Sequence, residues 1–482
     1  MFRTCSIILL IGLALSVNGQ NQPSDFLSSD FHKERREKLR KKLPDNSVAI
    51  FFANPVRNRA NDVDFKYHQD PNFHYLTGYP EPHAVLLIFK ENQTAANGSQ
   101  YNEILFVQPR DPQSEMWTGR RLGPDGVKTT LGFDQAFNNV DFLSYNIDFS
   151  SFKKIIFEDF KNDVRNTDEK GDLYDLIESF KVKVNYPKEQ TSLQIEPSAQ
   201  NLDFSMLRNL MSSLRGVKTE EEVDMVRKAV SISTVGQVEV MKAMKPGMSE
   251  LEVQGIHEFV FKKYGAEYEG YPSIVGAGNN GCILHYIDNY KPKIENSEMI
   301  LMDLGAEYHG YTADVTRTIP VSGTFSKEQK IIYDLVYKAQ EKAMQSVKPG
   351  VEMSELYQIT YKVIARGLMD LDIIKNETEA RQYYPHGCCH HIGLDVHDLG
   401  ARTLEKNMII TVEPGIYIPE GSACDKKWWG LAVRIEDDVL VTSKGFELLS
   451  GYAPRKSDEI ELIMKENSLL EGLILPDLNS IK

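Results

Sequence analysis

Lys245-Pro246-Gly247-Met248-Ser249-Glu250-Leu251 has a near-copy downstream, Lys348-Pro349-Gly350 followed by Met353-Ser354-Glu355-Leu356. The two Lys-Pro-Gly turns lie 103 residues apart, and each follows a helical pattern. Thr219-Glu220-Glu221-Glu222 forms a capping box. Val223, Val226 and Val230 then keep helical spacing, so a helix is expected to run to about Met244. Ser249 to Glu252 caps a second helix. Ser326-Lys327-Glu328-Gln329 opens a third, which stops at Lys348. Lys-Pro-Gly alone is an ordinary helix stop, but the shared Ser-Glu-Leu and the helices on both sides favour duplication over coincidence. Polar groups follow at similar distances in both copies. His285 and Asp303 come 38 and 56 residues after Gly247; His390 and Glu413 come 40 and 63 after Gly350. Two related halves facing each other are expected, with a site at their seam, where sites often form.

Upstream the pattern changes. Residues 31–43 read as a charged surface helix. Val48–Phe52, Val85–Phe89, Ile104–Val107 and Ile155–Phe157 read as buried strands, and residues 172–180 as a helix with Leu173, Leu176, Ile177 and Phe180 on one face. Alternating strands and helices predict an α/β domain over residues 25–200, followed by a second domain over 203–470.

Composition bounds the function. The chain has 482 residues, 41% of them apolar and 26% charged, as in globular proteins with large cores. A formal charge of −14 argues against nucleic acid, whose phosphates need a basic face. Arg3, the apolar run Ile7–Val17 and the small residues around Val17-Asn18-Gly19 read as a secretory signal over residues 1–19. No later run predicts a membrane span, and the last residues carry no lipid-anchor or retention pattern. A secreted or secretory-lumen location is therefore expected. It gives meaning to three glycosylation sequons, at Asn92, Asn97 and Asn376. Cys282, Cys388, Cys389 and Cys424 are too few and too irregularly spaced for a disulfide framework or a zinc ribbon, and read as small core residues.

The chemistry concentrates in Tyr384-Pro-His386-Gly-Cys388-Cys389-His390-His391-Ile-Gly393-Leu-Asp395-Val-His397-Asp398, where four of the eleven histidines fall within twelve residues. Such a cluster can be a metal site, a catalytic site or a satisfied polar core, and histidine is the commonest metal ligand. Asp303 ends the apolar strand Met299–Met302, and Asp314 follows on Tyr311–Thr318, so one hairpin can bring both acids together. Glu413 ends Met408–Val412. Alternation over Val433–Val441 puts Arg434, Glu436 and Asp438 on one face. Charge in apolar strands is expensive unless neutralised, and Arg434 is the obvious basic partner. Four acids and a histidine are too hard and too numerous for one structural zinc. They suit two divalent ions, manganese first, with cobalt or zinc as alternatives.

These segments resemble the pita-bread metallopeptidases, and within them the aminopeptidase P group. The matching motifs are Cys282-Ile-Leu-His285-Tyr286, Asp303-Leu-Gly, Tyr311-Thr-Ala-Asp314-Val-Thr-Arg317-Thr, His386-Gly-x-x-His390, Gly393-Leu-Asp-Val-His397-Asp, Val412-Glu413-Pro-Gly and Val433-Arg434-Ile-Glu436. Upstream, Asp70–Tyr79 and Trp117–Leu122 look like that group's N-terminal domain. The likeness covers nearly the whole chain after the signal. It implies a creatinase-like N-terminal α/β domain followed by a pseudo-twofold pita-bread catalytic domain, α/β (α+β) overall. It also implies the metal ligands Asp303, Asp314, His390, Glu413 and Glu436. His285, His386, His397 and Arg434 would line the substrate site, with Tyr271 near the metals and Trp117 reaching the pocket of a neighbouring subunit in a dimer or tetramer. The activity implied is release of the N-terminal residue from peptides with proline second. Metal-bound hydroxide would attack the bond before proline, Glu413 would shuttle the proton, and His285 and His397 would stabilise the oxyanion. Prolidase, limited to dipeptides, is the rival on the same fold. A non-catalytic binding protein is the rival from another class. The family has small or polar residues where this chain has Cys388-Cys389.

Overall fold

The computed structural model describes residues 25–95, 97–187, 201–470, 472 and 475–476. The expected signal segment, residues 1–19, lies outside them.

The N-terminal part is built on a six-stranded mixed sheet. Its spatial order is Ala136–Asn138, Gln100–Val107, Val85–Thr94, Ser47–Phe52, Lys154–Ile156 and Leu202–Asp203. The central three strands are antiparallel neighbours, and Lys154–Ile156 runs parallel to Ser47–Phe52. All four expected strands are present. The helix expected over 172–180 spans Leu173–Lys183, and the Asp172 side chain caps it by accepting from Asp175 N. Leu202–Asp203 pairs with Lys154–Ile156, so the N-terminal sheet keeps its hold on the chain up to Asp203.

The helix expected on the surface at 31–43 runs over Ser29–Lys42, and its charge pattern misleads. Phe31, His32, Arg35, Arg36 and Leu39 are buried. Arg36 donates to Glu103 Oε1 at 3.0 Å and to Leu76 O at 2.8 Å, with its guanidinium 3.9 Å from the Phe133 ring centroid. A partner acid on the sheet is what lets this cation lie inside.

In the second part, two helix pairs cover small antiparallel sheets. Glu220–Ala243 packs on Glu250–Lys263, and Lys327–Met344 on Met353–Asp370. Full capping boxes open the helices at Thr219, Ser249 and Ser326, as the sequence predicts. The duplication is visible in the hydrogen bonds that follow each Lys-Pro-Gly. Gly247 N donates to Ile294 O, and Ile294 N returns to Met248 O; Gly350 N donates to Leu404 O, and Leu404 N returns to Val351 O. Equivalent residues are therefore 103 apart, and Ser249 corresponds to Glu352, each the N-cap of its helix. The two Ser-Glu-Leu stretches are offset by two residues and do not superpose. Duplication is right, although one of its sequence clues is accidental. This is the pita-bread arrangement.

The strand expected over Val433–Val441 breaks in two. Leu431–Arg434 pairs with Gly415–Ile418, whereas Asp437–Val441 pairs with Ile409–Val412. Ile435 and Glu436 form the joint, and Glu436 N donates to Thr316 O of the other half at 3.1 Å. Tyr311–Thr318 breaks likewise, with Asp314 between Tyr311–Thr312 and Val315–Pro320. Strand interruptions free these carboxylates from the pleat, so both can face the seam.

One apolar core runs through both parts. Phe31, Leu39, Phe73 and Val107 belong to the same buried cluster as Val226, Ile300, Val336 and Ile410. A separate core containing Val48, Ile50, Phe106 and Phe180 lies on the other face of the N-terminal sheet.

Candidate active site

A cavity of about 570 Å³ opens at the seam of the two halves. Its lining includes Tyr271, His285, Asp303, Asp314, His386, His390, His397, Glu413, Arg434 and Glu436. Every residue implied as a metal ligand is there, and so is every implied substrate residue except Trp117. Trp117 sits on the helix Pro112–Thr118, is 86% exposed and lies outside its own chain's cavity. Asp438 also departs from the expected common face. It lies behind the cavity, where its Oδ2 accepts the Asp314 N–H at 3.0 Å.

The acids converge on His390. Its Nε2 lies 3.4 Å from Asp314 Oδ2, 3.6 Å from Glu413 Oε1 and 3.9 Å from Glu436 Oε1. Asp314, His390 and Glu436 present ligand atoms all within 4.8 Å of one another. His390 Nδ1 lies 3.1 Å from His391 O, which orients the ring with Nε2 toward the acids. Asp303 joins through Tyr271, whose Oη is 2.6 Å from both Asp303 Oδ1 and Asp314 Oδ1, so one phenolic proton serves two carboxylates.

Burial and mutual repulsion dominate the electrostatics. Burial first, then the charge of Asp303, pushes the Asp314 carboxyl well above the usual range. Glu436 is raised likewise by burial and then by Asp314. Burial lifts Glu413 to about 7 and Asp438 to about 8. Among the described residues lining the cavity, Arg434 supplies the one fixed positive charge, and its Nη2 donates to Asp303 Oδ2 at 2.5 Å. Four carboxylates around one guanidinium form a site short of positive charge. Hard divalent cations with oxygen ligands relieve that shortage, so the residues fit a metal centre.

Sequence reading missed the groups that hold these side chains. Arg434 Nη1 donates to Tyr417 Oη at 2.9 Å, and Tyr417 lies 2.8 Å from His386 Nε2. With its oxygen accepting from Arg434, the Tyr417 proton goes to His386 Nε2. His386 Nδ1–H then points to Gly387 O at 2.6 Å. Burial and the Arg434 cation keep His386 neutral, with its pKa pushed down to about 4. Thr316 Oγ1 donates to Glu436 Oε2 at 2.6 Å. Tyr417 alternates with apolar residues in Gly415–Ile418, which reads as an ordinary strand. No local signal marks it.

The loop bearing His397 is anchored to the N-terminal part. Asp398 is buried and takes Arg215 Nη2 at 2.5 Å and Lys218 Nζ at 2.9 Å, while Arg215 Nη1 donates to Asn72 Oδ1 at 2.7 Å. Next to Asp398, His397 packs edge-on to His390 with ring centroids 4.5 Å apart.

Fold and site together define a metal-dependent hydrolase. Residues 224–443 match metallopeptidase family M24, and residues 32–153 match the aminopeptidase P N-terminal domain. The Xaa-Pro aminopeptidase of Haemophilus influenzae is 32% identical over 91% of this chain and 98% of its own length. Human Xaa-Pro aminopeptidase 3 is 31% identical over 88% of this chain and 82% of its own. The solved structure of Pseudomonas aeruginosa aminopeptidase PepP aligns with a TM-score of 0.80 at 34% identity, covering 91% of this chain and 98% of that one. The chain belongs to metallopeptidase family M24, in its aminopeptidase P group.

Proposed function

We propose that this protein is an Xaa-Pro aminopeptidase, which removes the N-terminal residue from peptides whose second residue is proline. The observation that carries the reading is the convergence of Asp303, Asp314, His390, Glu413 and Glu436 in one cavity, with Arg434, His285, His386 and His397 on its walls. Two divalent ions, manganese by preference, would be held by those five side chains, supplying Lewis acidity and a water acidified to near neutral pH. A family neighbour has been solved as zinc-substituted Escherichia coli aminopeptidase P with product, which supports a divalent ion of some kind.

The chain's own residues do the rest. Glu413 reaches toward both His390 and His386, so its carboxylate is placed to take a proton from the attacking water and return it to the proline nitrogen. His397 and His285 stand on the cavity wall, where a ring N–H can donate to the oxyanion as it forms. Neutral His386 and Arg434 fix the acid side of the cavity through Tyr417. An imide bond before proline has no N–H, so recognition rests on these side chains rather than on strand pairing. The test compares Arg-Pro-Pro with Gly-Pro. Cleavage of the tripeptide after arginine supports the reading, and cleavage of the dipeptide alone replaces it with prolidase.

The N-terminal signal pattern supports entry into the secretory pathway. Asn92 and Asn97 lie at the exposed tip of the Val85–Thr94/Gln100–Val107 hairpin, and Asn376 is an exposed helix cap, as glycan acceptors need. A mass loss on amide-glycan removal from protein secreted by eukaryotic cells tests both points. Trp117, too exposed for a lone chain, supports assembly into a homo-oligomer. Among the described residues no helix is long and apolar enough to cross a membrane.

A further inference from the structure

Cys388 and Cys389 are neighbours in sequence, and their side chains turn to the same side. The Cys388 thiol donates toward Cys389 Sγ at 3.7 Å, and the Cys389 thiol donates to Met353 O at 3.6 Å. Cys389 is one of the residues lining the cavity that holds the acid cluster, and it is only partly buried. Cys388 is 1% exposed and packs in the core behind it. The Cys388 backbone also holds one candidate ligand, and the backbone of the adjoining His390 is tied to the same strand. Glu413 N donates to Cys388 O at 2.8 Å, Thr411 N donates to His390 O at 2.9 Å, and His390 N donates to Thr411 Oγ1 at 3.2 Å.

We propose that Cys388 and Cys389 form a redox-sensitive dithiol, which a hydroperoxide closes to a vicinal disulfide, and that closure unseats Glu413 and His390. The inference rests on the aminopeptidase reading only for its effect on turnover. In the first step the Cys389 sulfur attacks one oxygen of hydrogen peroxide. The O–O bond breaks, the thiol proton passes to the departing oxygen, and sulfenic acid and water result. In the second step the Cys388 sulfur attacks the Cys389 sulfur. An S–S bond forms, the S–O bond breaks, and the hydroxyl leaves as a second water with the Cys388 proton. Two thiols are oxidised by two electrons and one peroxide is reduced.

Geometry makes this bond consequential. Disulfide-linked Cα atoms ordinarily lie about 4.4–6.8 Å apart, whereas adjacent residues are fixed at about 3.8 Å across a trans peptide. Closing the ring therefore twists the 388–389 peptide, and Cys388 O cannot keep both its position and its bond to Glu413 N. Strained disulfides are also the easily reduced ones, which makes the change reversible by thiol.

The test uses the full-length, metal-loaded protein, treated with hydrogen peroxide, alkylated, digested and weighed. The expected result is a 388–389 peptide that has lost two hydrogens and escaped alkylation, with at least a tenfold fall in both bound metal and turnover, all reversed by dithiothreitol. Cys388→Ala should yield no such peptide and keep its metal under the same treatment. Cys389→Ser serves the same purpose should the alanine variant not fold. Separate thiols on Cys388 and Cys389 after treatment, a disulfide to Cys282 or Cys424 instead, or a vicinal disulfide with metal content unchanged would each overturn the proposal. Absence of Xaa-Pro cleavage before any oxidation would count against the aminopeptidase reading alone, because the mass and metal readouts stand without it.

Discussion

Gln237 and Gln340 occupy equivalent places in the two halves, 103 residues apart, and each ties together the strands that carry its half's acids. Gln237 Nε2 donates to Met302 O at 3.0 Å and Val315 O at 2.7 Å, beside Asp303 and Asp314. Gln340 Nε2 donates to Val412 O at 2.9 Å and Ile435 O at 3.0 Å, beside Glu413 and Glu436. Both side chains are fully buried. Substituting Gln237→Leu leaves two buried carbonyls without that donor, at about 1–3 kcal/mol each. Urea unfolding should show the loss, and metal titration should show weaker binding. An unchanged midpoint would mean that the strands hold themselves.

Arg434→Met should destabilise the protein by about 3–5 kcal/mol, the usual cost of leaving a buried charge without its partner. Asp303 is that charge, and Tyr417 would lose its donor as well. Thermal unfolding checks the loss. Added divalent metal should recover more stability in the variant than in the wild type, because a cation then answers Asp303.

Glu413→Gln keeps the shape of the side chain but removes both its proton chemistry and one anionic metal ligand. Turnover of Arg-Pro-Pro should fall by about 10²–10⁴-fold, the range for losing a general acid–base, with the melting temperature little changed. Asp314→Ala should abolish turnover through loss of metal, read by metal analysis of the purified variant. Undiminished activity in either variant would overturn the site assignment.

Metal uptake should tighten as pH rises. Glu413 stands at about 7 when folded, against 4.5 as an ordinary glutamate. A raised acid stabilises the metal-free fold fully below 4.5, and that contribution is lost as pH climbs through about 7. The metal-free protein should therefore lose stability between these values, while bound metal, which needs the ionised carboxylates, flattens the trend. Calorimetric metal titrations at pH 6 and 8 should register proton release. Equal affinity at both would contradict the assignment.

Asp398 titrates in the opposite sense. Although burial raises it, Arg215 and Lys218 bring its carboxyl below the usual 3.8. Its contribution is present above 3.8 and disappears as pH falls through the lower folded value. Asp398→Asn should flatten the acid limb of the stability curve. Because it loosens the loop behind His397, it should also lower kcat more than it raises KM. Stopped acid-unfolding curves and steady-state kinetics read the two effects.

Much of this was legible in the sequence, because caps and strand ends are local. Thr219, Ser249 and Ser326 announce their helices by side-chain chemistry that needs nothing distant. Asp303 and Glu413 stand out as acids closing apolar runs. Other features depend on what lies across the fold. Arg36 reads as surface until Glu103 is known to face it. Val433–Val441 reads as one strand because alternation cannot show that Glu436 bonds the other half through Thr316. Ser354 reads as a repeat of Ser249, but turn geometry gives Glu352 the capping place. Tyr417, Gln237 and Gln340 carry no sequence signature, since their roles exist only where strands from separate segments meet.

The continuous interior shared by the N-terminal sheet and the catalytic halves has a practical corollary. Cutting the chain near residue 203 would bare the flank of the shared core where the helix Ser29–Lys42 packs on Met206–Arg215, and would strip Asn72 from Arg215 behind the His397 loop. This catalytic lobe is thus no interchangeable cassette. Recombination that swaps its companion must also rebuild the wall they have in common, or the freed lobe will aggregate before it can work.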